Sequence, residues 1–165
     1  MTGDEAHRIA AELLYREALF LDERRWDEWL ALYDAHPEFW VPAWRTDDTP
    51  TADTSTEVSL LYIASHLELA ERIARVRSGK SAASSSLPRT AHIVSNVLAE
   101  MEGDAIVARS VITTQIFNIP RREQHIAITR CEHRLAAVGD GWRIKRKKML
   151  LLNDYIPTMM DFYTI

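Results

Sequence analysis

Between Thr90 and Leu152 the sequence is almost continuously β-prone, and only the short breaks "EGD", "IPRRE" and "GDG" interrupt it. They delimit long segments at Thr90–Glu102, Ala105–Asn118, Gln124–Val138 and Trp142–Leu152. Strands joined this tightly pair as antiparallel neighbours, because a parallel return needs a crossover of about a dozen residues or more. Within the second segment Ile106, Ala108, Ser110 and Ile112 alternate with Val107, Arg109, Val111 and Thr113. Both faces are therefore partly apolar, the pattern of a curved sheet wrapped around something.

What it wraps precedes it. From Asp4 to Tyr33 the pattern is helical, with Ala6, Ile9, Ala10, Leu13 and Phe20 near one face. Asp22 is placed to cap a second helical stretch, "ERRWDEWLALY", whose Trp26, Trp29, Leu30 and Tyr33 share a side, and Ala35 to Pro37 end it. Glu38–Trp44 is an aromatic strand in which Pro42 predicts an edge or a bulge. A polar loop, "RTDDTPTADTST", leads to a short strand, "EVSLLYIA". His66–Val76 reads as a helix with Leu67, Ala70, Ile73 and Ala74 inward, followed by a flexible connector, "SGKSAASSSLP". Helices first and a meander afterwards make an α+β fold, and 165 residues fit a single domain, 1–165.

Composition narrows the function classes. A hydrophobic fraction of 47% argues against disorder, and a net charge of −4 gives no general pull toward nucleic acid. The single cysteine, Cys131, excludes an internal disulfide and any cysteine-built zinc or iron–sulfur site within one chain. No apolar run of about 18 residues occurs, and the N-terminus has no basic start followed by an apolar stretch. A cytoplasmic protein is expected.

Chemistry is sparsely signalled. His7, His36, His66, His92, His125 and His133 share no metal-binding spacing, and no phosphate loop or nucleophile elbow is present. His92, near the start of a strand, is the best candidate base, with Asp22, Asp27 or Asp34 as the carboxylate across the helix–sheet space. The competing reading is structural: His92 and Asn96, on one strand face, fasten neighbouring backbone while Ser95 points the other way. The run "RIKRKK" splits between two strand faces, and Lys145, Arg146, Lys147 and Lys148 suit a partner protein's acidic patch better than nucleic acid. The apolar tail "YIPTMMDFYTI" is expected to dock in a groove, with Phe162, Tyr163 and Ile165 anchoring a neighbouring subunit.

Together "LLYREALFLDERRWDEWLALY", "FWVPAW", "EVSLLY", "LPRTAHIVSNV" and "RIKRKKMLLLNDYIPTMMDFYTI" resemble the small (β) subunit of aromatic-ring-hydroxylating dioxygenases. The likeness is to the benzoate, toluate and anthranilate group, and it covers nearly the whole chain. One departure is Thr129 before Arg130, where the family often has glycine, and it argues against a local turn or bulge there without touching the resemblance. The resemblance implies a cystatin-like (NTF2-like) cone, with helices packed in a curved sheet. It implies a non-catalytic role in an α3β3 complex with a large subunit that holds a Rieske [2Fe–2S] cluster and a mononuclear Fe(II). Electrons would come from NADH through a reductase, and this chain would hold no cofactor or metal. A Rieske centre needs two Cys and two His, so a chain with one Cys agrees. The same cone also hosts isomerases, dehydratases and cyclases that use a His/Asp pair, for which His92 with Asp22 or Asp34 is the candidate here.

Overall fold

The computed structural model describes residues 2–79, 86–153, 155–157 and 160–165. Much of the expected connector, residues 80–85, lies outside the described residues. The elements run α1 (Gly3–Asp22), α2 (Trp26–Leu30), β1 (Tyr33–Pro42), β2 (Ser59–Ile63), α3 (His66–Ser78), β3 (Arg89–Glu102), β4 (Ala105–Asn118), β5 (Glu123–Val138) and β6 (Gly141–Leu151). The four expected C-terminal strands are all present, within a residue or so of their expected ends. Gly103 and Gly139, both at positive φ, make the tight reversals after β3 and β5.

The sheet has six strands in the order β2-β1-β6-β5-β4-β3. Every neighbouring pair is antiparallel except β1 and β6, which run parallel, so the sheet is mixed. Register shifts at Val41/Pro42, Ser95/Leu98 and Arg134/Leu135 let strands of this length bend. Pro42 is thus at a bulge, one of the two alternatives its position allows. Thr129, standing where the family often has glycine, forms no turn or bulge: it keeps regular register between Ile112 and Leu151, and its hydroxyl donates to the Ile112 carbonyl at 3.3 Å.

Helix α1 starts at Thr2, whose hydroxyl accepts the Glu5 amide at 3.2 Å, and buries Ala6, Ala10, Leu13, Leu14, Ala18 and Leu21 against the sheet. Asp22 is its last residue and does not cap α2, which begins without a side-chain cap. In α3 the buried stripe is Leu69, Ile73 and Val76, while Leu67 is 67% exposed. Leu67 lies two residues, about 200°, from Leu69 and so faces solvent. Of the inward face expected at Leu67, Ala70, Ile73 and Ala74, Ile73 is buried and Ala70 half-buried, whereas Leu67 and Ala74 are corrected to the exposed side.

The tail is corrected too. Phe162, Tyr163 and Ile165, expected to anchor a neighbouring subunit, are buried in this domain's own core. Phe162 stacks on Trp29 at 4.7 Å and meets Trp26 edge-on at 5.6 Å. Arg72 on α3 holds Asp161 at 3.0 Å, so the last turn is locked at both ends. The paired tryptophans of α2 form an aromatic slot, which the tail fills at lower entropic cost than a separate chain would.

Candidate functional site

Two carboxylates of α1 reach the sheet. The first, Asp22, meets the start of β3, which is an edge strand and has unpaired backbone donors on its outer side. Asp22 accepts the His92 amide at 2.9 Å, the Thr90 hydroxyl at 2.9 Å and the His92 ring at 2.6 Å through Nδ1. An ionised carboxylate can only accept, so Nδ1 carries the proton. Burial would raise the Asp22 carboxyl, but the hydrogen bonds from His92 and Thr90 outweigh it and hold it below its usual range.

Of the expected carboxylates, then, Asp22 meets His92 and the others do not. Asp34 lies on β1 and accepts the His36 amide at 3.0 Å, and Asp27 pairs with Arg77 of α3. The four principal cavities are lined by other residues than His92 and Asp22. The largest, about 520 Å³, runs along the outer face of α1, beside Tyr15 and Leu19. The pair is built as a tie between helix and strand. Asn96 shares no such contact: it sits in the bulge with φ 54°. Replacing His92 by alanine should reduce stability by about 1–3 kcal/mol, the cost of stranding buried partners. In an assembled complex kcat should not change; a fall of about a hundredfold at unchanged stability would identify a general base.

The second carboxylate, Glu17, was not legible as a site residue. It lies on the buried stripe of α1, 2% exposed, and accepts Lys147 Nζ at 2.9 Å and the Tyr33 hydroxyl at 2.5 Å on one oxygen. Its other oxygen accepts His133 Nε2 at 3.3 Å. Lys147 is 1% and His133 0% exposed, so the quartet from α1, β1, β5 and β6 is sealed inside the cone. Burial pushes the Glu17 carboxyl up, but the Lys147 charge and the bonds from His133 and Tyr33 bring it well below its normal value. Burial lowers the His133 imidazole, against the pull of Glu17, and burial raises the Tyr33 hydroxyl. The signal available in sequence was a lone Glu between Leu14 and Leu21 on an apolar stripe, and a lone Lys alternating with Met149 and Leu151.

These shifts fix a pH dependence. An imidazole lowered in the folded state takes up its proton more readily when unfolded, so its contribution to stability is present above about pH 6.5 and lost as pH falls below it. The depressed Glu17 carboxyl acts in the same direction below about pH 4.5. Urea midpoints should therefore decline from pH 7 to 5.5 and decline further toward pH 4. A His133→Asn variant should lose the first part of that decline.

The basic run divides between the two faces, but the register shift at Lys145 resets its alternation. Lys147 points inward to Glu17, which corrects its expected place at an interface. Lys145 is the exposed extra residue at the β5–β6 register shift. Arg146 and Lys148 lie on the outer sheet face over Trp40, at 5.6 and 4.6 Å from its ring, and Arg146 pairs with Glu38 at 3.0 Å. No cluster of three or more metal-ligating side chains occurs among the described residues. Burial pushes the Cys131 thiol up to about 11, so it is neither a thiolate nor a ready ligand. The donors among the described residues fit neither a Rieske cluster nor a mononuclear iron site. No described helix is long and apolar enough to cross a membrane.

Comparison with known proteins agrees with this geometry. Residues 16–158 match the family model described as the ring hydroxylating beta subunit. The chain is 34% identical to the β subunit of benzoate 1,2-dioxygenase from Acinetobacter baylyi, covering 94% of this chain and 91% of that one. The crystal structure of the benzoate 1,2-dioxygenase β subunit from Burkholderia mallei superposes with TM-score 0.76 at 29% identity, over 94% of this chain and 95% of that one. An NTF2-like protein of cystatin-like fold from Novosphingobium aromaticivorans, 15% identical over 92% of this chain and 84% of that one, has TM-score 0.62 and shares the fold alone. The chain belongs to the family of ring-hydroxylating dioxygenase β subunits.

Proposed function

We propose that this chain is the non-catalytic small subunit of a dioxygenase acting on an aromatic carboxylic acid of the benzoate or anthranilate kind. It would pair with a large subunit in an α3β3 assembly. The large subunit would supply the Rieske cluster and the mononuclear iron, and a reductase would deliver electrons from NADH. The reaction would insert both atoms of O2 into the ring. What carries this reading is the match along nearly the whole chain to small subunits of benzoate-type dioxygenases. It is supported by a cone whose interior is filled by side chains and by the Glu17 quartet.

The test is co-expression with a large subunit encoded beside this chain. Together they should co-purify and consume O2 and NADH with an aromatic acid once a reductase is added. The small chain alone should be colourless and inert. Turnover by this chain alone with stoichiometric iron would overturn the reading.

A further inference from the structure

The outer face of the sheet carries a groove of about 330 Å³ above the β3 bulge at Asn96. Its walls are Arg109, Arg130, Glu132 and Lys148, and its apolar floor includes Val111 and Leu150. Register places Leu98, Arg109, Glu132 and Lys148 in one row across β3 to β6, and Val111, Arg130 and Leu150 in the next. Beyond them on the same face Ile93 is 48% and Leu98 74% exposed.

The charges in this groove do not balance. Arg109 is shared at 3.6 Å with Glu100 and at 3.8 Å with Glu132. Among the described residues Arg130 has no ion pair, and Lys148 has only the Trp40 ring. Two cations beside an apolar floor are thus left over, on a chain whose formal charge is −4 overall.

We propose that this groove receives a carboxylate-bearing segment of the large subunit, the acid lying between Arg130 and Lys148 and an aliphatic neighbour covering Val111 and Leu150. The proposal rests on the functional reading above. A second copy laid face to face fits poorly: Glu38, Glu100, Glu102 and Glu132 are each committed to an arginine of their own face, so it would bring unpaired cations against unpaired cations. A partner that closes the groove removes it from water, where a charge pair gains strength and specificity.

The experiment uses the co-expressed complex. The Arg130→Glu/Lys148→Glu double variant should cut recovered complex at least tenfold at low salt, with the small chain's circular dichroism and urea midpoint preserved. Arg8→Glu on the outer face of α1 should leave recovery unchanged. Carbodiimide treatment of the wild-type complex should join the Lys148 amine to a carboxylate of the large subunit, located by mass spectrometry. Lys148→Arg should abolish that cross-link and keep the assembly. Full recovery of the double variant, or a Lys148 cross-link only to a second small chain, would overturn the proposal. Failure of the wild-type chains to co-purify would instead overturn the functional reading on which it stands.

Discussion

Replacing Lys147 by methionine should destabilise the domain by about 3–5 kcal/mol, because it strands the Glu17 carboxylate in a dry interior. Removing either partner alone is the damaging change, whereas removing both charges together is mild. Glu17→Gln with Lys147→Met should therefore recover at least half of the loss, since glutamine still accepts from Tyr33. Urea unfolding of the single and double variants closes the cycle, and the coupling energy is read from their difference. A loss below about 1 kcal/mol for Lys147→Met would mean that Glu17 reaches water. The quartet joins α1 to three strands, so this loss should appear as global unfolding and not as fraying of one element.

Deleting Asp161–Ile165 should abolish folding altogether. Truncating a buried Phe such as Phe162 costs about 3–5 kcal/mol, and losing buried Tyr163 and Ile165 adds about 1.5–3 kcal/mol each. The sum approaches the whole stability of a typical domain, about 5–15 kcal/mol. Far-ultraviolet circular dichroism and a one-dimensional NMR spectrum decide it. A truncated chain that stays folded but elutes as a smaller species would restore the neighbouring-subunit role that the sequence pointed to.

Why the tail misled is physical. Its composition says only that it must be covered, and five apolar residues in a row of eight fit an internal slot as well as an external one. The slot exists because Trp26 and Trp29, on a five-residue helix, present their rings to the same place. The strands β3 to β6 were legible because alternation and glycine turns are local. The face of α3 was not, because Leu67 begins the helix and packing, not apolarity, chooses the stripe. The Asp22–His92 tie was half legible: both residues were named, but three carboxylates competed for the histidine. The Glu17 quartet was hidden most deeply. Its members stand at positions 17, 33, 133 and 147, so only folding brings them together.

The parallel pairing of β1 with β6 has a consequence for how the chain is made. Tyr33 must find Ile144, and Trp29 must find Phe162, so α2 and the start of β1 cannot complete their contacts until residues more than a hundred positions later are in place. Closing such distant contacts is slow, and during that delay the apolar side of α1 stays open. A fragment that stops before Ile144 should therefore remain protease-sensitive along its whole length, and only one that reaches past Phe162 should close the cone.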